Sequence, residues 1–195
     1  MILIIEGPDK AGKTTLSNAL IKKYPGLLLK ITDRPLDASR QQREKILEHY
    51  GQILNILPGN ENEDLWDETE GISSFKNIIL DRFFPSELVY SIKRGYDAMA
   101  EDDKYNRQFR NMEAILGNTE HLFIYCNPGL QAINERMKEN PDDYVEYHET
   151  AMLMGRYDRY FKNTPLNWIR VDTSRPVESC LQVIHNKINM LELKK

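Results

Sequence analysis

Gly7-Pro8-Asp9-Lys10-Ala11-Gly12-Lys13-Thr14 fits the spacing G-x-x-x-x-G-K-S/T at every fixed position. Each residue type suits a polyphosphate. The glycines let backbone N–H groups curl around an anion, Lys13 reaches the β- and γ-phosphates, and the Thr14 hydroxyl can ligate Mg²⁺. The helix expected from Lys13 onward points its positive end at the same anion. The expectation is a Mg-ATP site built from Gly7, Asp9, Lys10, Ala11, Gly12, Lys13, Thr14 and Thr15.

A second group, Asp81-Arg82-Phe83-Phe84-Pro85-Ser86, follows the apolar run Ile78-Ile79-Leu80. A carboxylate at the end of a buried strand can share Mg²⁺ with Thr14, directly or through water. Arg82 can pair with a phosphate in bidentate fashion. The plainer alternative is an Asp–Arg pair that caps the next helix. Lys13, Lys10, Arg34, Arg82, Arg136 and Lys138 form a cation set able to bring two polyanions together. A phosphate monoester is mostly dianionic at neutral pH and attacks without a general base. A nucleoside hydroxyl would need a carboxylate base, and Asp81 could serve. A third possibility is a nucleotide-gated module that hydrolyses ATP without any acceptor.

These groups need rigid elements behind them. Five short apolar runs recur: Ile2 to Ile5, Leu27 to Ile31, Ile78 to Leu80, Leu122 to Cys126 and Trp168 to Val171. Each is too short for a stable helix and bounded by turn-formers, so each predicts a buried strand. Helical patterns lie between them, at Lys13 to Lys23, Ala38 to Leu57, Glu87 to Arg94, Lys104 to Leu116, Gly129 to Lys138, Glu149 to Phe161 and Val177 to Leu193. Such alternation predicts an α/β three-layer P-loop NTPase fold: a five-stranded parallel sheet with helices on both faces. Residues 1–195 read as one domain, with an exposed acidic loop from Pro58 to Ser74 and a lid segment at about 134–147.

Composition narrows the partners. Of the 195 residues 41% are hydrophobic and 29% charged, the make-up of a globular domain. The net charge of −4 advertises neither nucleic acid nor an anionic membrane. Cys126 and Cys180 are too few for a disulfide framework and fit a reducing compartment. The opening Met1-Ile-Leu-Ile-Ile reads as a strand, and no apolar run reaches membrane-spanning length. The expectation is a cytoplasmic protein with small-molecule nucleotide partners.

The chain resembles the thymidylate kinase family. Glu6-Gly7-Pro8-Asp9-Lys10-Ala11-Gly12-Lys13-Thr14-Thr15 is similar to that family's E-G-x-D-x-x-G-K-S/T-T loop, and Asp81-Arg82-Phe83-x-x-Ser86-x-x-Val89-Tyr90 to its D-R-Y/F-x-x-S-x-x-A-Y/F segment. Thr32-Asp33-Arg34-Pro35 stands where T-R-E-P does there, and Val171 to Pro176, including Arg175, resembles the last strand and the adenine-side loop. The resemblance implies ATP and Mg²⁺ as cofactors and phosphoryl transfer to dTMP. It implies Asp9 on the acceptor's 3′-hydroxyl, Arg82 on its phosphate, Arg34 on the acceptor side, and Phe83 and Tyr90 near the base. Arg136, assisted by Lys10, is the candidate for stabilising the transferring phosphoryl, since Lys10 and Tyr144 stand where the family often has arginine. Arg40 and Arg43 are further candidates beside the base. A homodimer is compatible with the family.

Overall fold

The computed structural model describes residues 1–30, 40–55, 76–100, 104–141 and 145–193, excepting the side chains of residues 40–43, 46 and 104–105. Five parallel strands form one sheet: β1 (Ile2–Glu6), β2 (Leu27–Lys30), β3 (Ile78–Asp81), β4 (His121–Cys126) and β5 (Trp168–Val171). Their order across the sheet is β2-β3-β1-β4-β5. The three central strands β1, β3 and β4 are buried at every residue, which is why they read as unbroken apolar runs rather than alternating ones.

Among the described residues, seven α-helices connect and cover these strands: α1 (Lys13–Lys23), α2 (Arg40–Asn55), α3 (Phe84–Tyr90), α4 (Lys104–Gly117), α5 (Leu130–Glu139), α6 (Thr150–Asn163) and α7 (Val177–Glu192). Parallel crossovers are right-handed. Since β1 connects in one direction along the sheet and β2, β3 and β4 in the other, α1 goes to one face and α2 to α6 go to the opposite face. The contacts agree: α1 packs on α7, while α3 packs on α6 and α2 on α4. The expected three-layer architecture is the one observed.

This topology also places the chemistry. The connections reverse between β1 and β3, and a crevice opens beyond the carboxyl ends of strands at such a switch point. The residues after β1 and those after β3 are therefore neighbours, with Ile5 opposite Asp81 in the register. An aromatic layer on the α3–α6 side stiffens that end. Tyr125 stacks on Phe161 at 4.9 Å and on Tyr157 at 5.6 Å, each pair contributing about 0.5–1.5 kcal/mol beyond burial.

The sequence reading starts the third helix at Glu87, but the helix begins at Phe84. Pro85 is the reason: its fixed φ suits the first helical turn, and its missing N–H costs nothing there. The far end tightens into a 3₁₀ turn over Ser91–Arg94, closed by Gly95 at φ 81°. Among the described residues, no helix is long and apolar enough to cross a membrane.

Candidate active site

Strand β1 delivers the chain to Gly7, where the backbone must turn sharply beneath β4. Gly7 has φ 143°, and a Cβ there would sit 2.5 Å from the Cys126 carbonyl oxygen. Gly12, at φ 84°, lets the chain enter α1, and Lys10 is left-handed too at φ 60°. Lys13 opens the helix. Its buried ammonium donates to the Pro8 carbonyl at 2.7 Å across the loop. Burial, together with the nearby Arg82 charge, lowers its pKa from 10.5 to about 8.

Two distant elements clasp the outside of this loop. The Thr173 hydroxyl, just past β5, donates to the Ala11 carbonyl at 2.5 Å. From α5, Arg136 donates to the Lys10 carbonyl at 3.0 Å and to the Thr173 carbonyl at 2.8 Å. On the other side Asp81 ends β3, and the Ser17 hydroxyl on α1 lies 3.4 Å from its carboxylate.

Arg82 is the most constrained residue of the site. It is not glycine, yet its φ is 73°. A left-handed backbone at such a position persists only where its surroundings impose it. One guanidinium nitrogen donates to the Asp9 carboxylate. The other lies within reach of the Gly7 carbonyl at 3.3 Å, Ser86 Oγ at 3.0 Å and the Tyr157 hydroxyl at 3.4 Å. Burial works against the charge, but Tyr90, Asp9, Tyr157 and Glu6 more than offset it and hold the pKa well above its ordinary value. Tyr90 completes the clamp: its hydroxyl donates to Asp9 at 2.9 Å while its ring lies 5.3 Å from the guanidinium.

These groups border a cleft of about 1060 Å³ lined by Asp9, Lys13, Thr14, Asp81, Arg82 and Arg136 among others. Its donor set fits a nucleoside triphosphate with Mg²⁺. The first amides of α1, at Lys13 and Thr14, precede any intrahelical acceptor. Thr14 is exposed at the helix start, and Asp81 supplies a carboxylate across from it. Arg175, on the β5–α7 loop, borders the same space and is paired with Asp172 at 3.2 Å.

No protein-family model matches the chain. Among curated proteins, the SPbeta prophage-derived uncharacterized protein YorR of Bacillus subtilis (strain 168) is 26% identical over 178 residues, 89% of this chain and 90% of that protein. The crystal structure of YorR in complex with phosphorylated GDP matches with a TM-score of 0.70 at 22% identity, covering 100% of this chain and 97% of that one. Deoxyadenosine kinase from M. mycoides with its products dCMP and a flexible dCDP matches at 0.59 and 18% identity, over 97% of this chain and all (100%) of that one. Thymidylate kinase from Candida albicans matches at 0.58 and 18%, over 98% and 92% of the two chains. The chain has the fold of the P-loop nucleotide kinases.

Within that kinase fold, Asp9, Lys10, Gly12, Lys13, Thr14, Thr15, Asp81, Arg82, Arg136 and Arg175 converge on one cleft. Gly7 and Ala11, also in the loop, are buried. Three readings need correction or restriction. Phe83 does not face the cleft: its ring is fully buried, edge-on to Tyr50 at 5.3 Å and 5.0 Å from Phe84, because the turn after Arg82 swings it into the core. Tyr90 is likewise buried, and its hydroxyl serves Asp9. Lys138 is exposed and does not line the cleft, its ammonium lying 6.0 Å from the Tyr147 ring centre.

Arg34 and the side chains of Arg40 and Arg43 lie outside the described residues, as do residues 142–144 of the expected lid. The part of that segment from Asn134 to Glu139 is the end of α5. Sequence reasoning missed Lys30 and the Tyr157 hydroxyl, and it quoted Ser86 and Thr173 only as members of motifs, without a role. Lys30 borders the cleft from the end of β2, and a cation at a strand's carboxyl end was a usable signal. Tyr157 reads as the packed face of a helix, and its ring is packed. Nothing local marks its hydroxyl as part of a polar network.

Proposed function

We propose that the chain is an ATP-dependent nucleoside monophosphate kinase, with dTMP as the first acceptor to test and dTDP as the product. The observation that carries this reading is Arg82, a guanidinium immobilised at the cleft beside the phosphate loop. A fixed, charged fork suits a dianionic phosphate far better than a neutral hydroxyl.

Phosphoryl transfer asks for alignment and charge neutralisation. Lys13, with Lys10 beside it, holds the donor's terminal phosphates against the loop amides. Arg82 grips the acceptor phosphate, whose oxygen attacks the γ-phosphorus in line and without a base. Asp9 now holds one edge of the guanidinium. When an acceptor phosphate takes over that edge, the Asp9 carboxylate turns to the acceptor's sugar hydroxyl. Arg136 is close enough to the loop to offset charge on the moving phosphoryl. Thr14 and Asp81 would hold Mg²⁺, which would supply charge neutralisation to the donor phosphates. Arg175, which borders the cleft, is assigned to the donor's base end, and Arg34, outside the described residues, to the acceptor.

A deoxynucleoside kinase is the rival reading, and the likeness to deoxyadenosine kinase supports it equally. In that case Asp81, a carboxylate at the same cleft, would take the proton of the attacking hydroxyl. The deciding experiment is ADP release with Mg-ATP and a panel of acceptors. The panel holds dTMP, dUMP, the remaining monophosphates, thymidine, the purine deoxynucleosides and a no-acceptor control. GMP and dGMP belong in it because YorR was crystallised with phosphorylated GDP. Turnover rising with a monophosphate supports the proposal. A response to nucleosides alone transfers the role to Asp81. Equal turnover without acceptor rejects both.

A further inference from the structure

The last residue of β1 is a glutamate with no exposed surface. Glu6 is 0% accessible, and it stands outside the cleft, behind the phosphate loop. Its carboxylate accepts the Phe83 backbone N–H at 2.7 Å on one oxygen. The other oxygen accepts the Ser86 hydroxyl at 2.6 Å and lies 3.3 Å from the Tyr157 hydroxyl. Ser86 and Tyr157 are also the groups that flank the Arg82 guanidinium. One carboxylate thus holds the peptide that follows Arg82 and both hydroxyls that seat its head group.

We propose that Glu6 is the positioning residue of this site: it imposes the left-handed backbone of Arg82 and aims the guanidinium at the cleft. The geometry requires some such anchor. With φ at 73° the chain leaves Arg82 in a conformation that side-chain-bearing residues rarely adopt. The hydrogen bond from Phe83 to Glu6 and that from the Arg82 N–H to the Ile5 carbonyl at 2.9 Å pin both peptides around it. Among the described residues, the titratable groups interacting with Glu6 include Arg82, Lys13 on α1, Tyr50 on α2, Cys126 on β4, and Tyr157 and Tyr160 on α6. Arg82 and Lys13 are the cations among them, and both belong to the site.

A purely structural role makes a different forecast. Burial pushes the Glu6 carboxyl up from 4.5 to about 6, so the charge is held at neutral pH against the preference of the fold. A glutamine of the same shape can still accept from Phe83, but its amide donates to the Ser86 and Tyr157 oxygens where the carboxylate accepts, reversing the hydroxyls that flank Arg82. If Glu6 merely supported the fold, Glu6→Gln would have no particular effect on Arg82.

The inference rests on the kinase reading for what Arg82 grips, and on geometry alone for how Arg82 is held. The test therefore has two arms on the full chain. In ¹⁵N NMR of the arginine side chains, the wild type should show a slowly rotating Arg82 guanidinium with resolved N–H signals. E6Q should lose that resolution while keeping the thermal midpoint at or above wild type. In turnover assays with the best acceptor of the panel, E6Q should raise the acceptor KM at least tenfold and leave the ATP KM within twofold. Ser86→Ala should move both readouts in the same direction by less. An Arg82 signal unchanged in E6Q, or a midpoint that drops with donor and acceptor KM affected alike, overturns the proposal. If the wild type shows no acceptor-dependent turnover, the kinase reading fails, and the NMR arm alone still decides whether Glu6 holds Arg82.

Discussion

Arg82 and Asp9 meet as a charge pair with little exposure, 13% and 10% for the two side chains. Taking such ions out of water is costly unless further hydrogen bonds satisfy them, and here Tyr90, Ser86, Tyr157 and the Gly7 carbonyl do so. The pair holds a fork in place. Arg82→Lys keeps the charge and removes the fork, so acceptor kcat/KM should fall on the order of a hundredfold with ATP KM nearly unchanged. Steady-state kinetics with each substrate varied in turn checks this; a matching loss on ATP would move Arg82 to the donor side. Gly7 is constrained more simply. At φ 143° and with a Cβ contact of 2.5 Å to backbone, Gly7→Ala should destabilise the fold by about 2–4 kcal/mol in urea titrations.

At the scale of elements, α5 and the β5–α7 loop act on the phosphate loop from outside. Arg136 ties Lys10 to Thr173, and Thr173 ties back to Ala11, so three segments of chain share one small set of carbonyls. Removing the guanidinium should loosen that junction without touching the sheet. Arg136→Ala is expected to lower kcat on the order of a hundredfold. It should also speed amide exchange around Lys10 to Gly12 and Asp172 to Arg175 while β1 and β4 stay protected. Faster exchange throughout the sheet would mean that Arg136 supports the fold as a whole. On the Arg82 side of the cleft, Arg156 on α6 donates to the Val89 and Leu88 carbonyls at 2.8 and 2.9 Å, near the end of α3 where intrahelical donors run out. The helix that carries Ser86 and Tyr90 is therefore held at its end by α6, which also contributes Tyr157.

For the whole molecule, the site works against stability in two opposite pH windows. Glu6 binds its proton more tightly folded than unfolded, so its contribution to stability falls as pH rises from 4.5 to about 6. Lys13 behaves the other way. Its folded pKa of about 8 lies below 10.5, so the unfolded chain binds more protons in between, and stability rises with pH across that window. From about pH 6 to 8 both groups are charged and buried, at a cost on the order of 2 and 3 kcal/mol respectively. Lys13→Met should therefore abolish turnover and make the empty protein more stable near pH 7, with the gain shrinking above pH 8. Denaturant melts of wild type and variant across pH 6 to 10 test the sign; a less stable variant at neutral pH would contradict it.

Much of this was legible in one dimension because its causes are local. The loop from Gly7 to Thr14 is contiguous, its glycines answer to the φ values of their own residues, and the apolar runs announce strands buried on both faces. Strand and helix alternation then restricts the sheet to a few parallel arrangements, among them the one observed. The inner network was not legible, since its members lie far apart along the chain. Tyr157 is 151 residues from Glu6, Thr173 is 162 from Ala11, and Arg136 is 126 from Lys10. Phe83 shows the same limit in reverse, for a local motif put its ring near a base and the left-handed turn at Arg82 sent it into the core. Residue types and spacing alone determined that the chain carries a phosphate loop on an α/β scaffold. Which hydroxyls, carbonyls and carboxylates surround Arg82 was decided only by strand order and register, because contacts between distant segments depend on how the sheet stacks them and leave no local trace in the sequence.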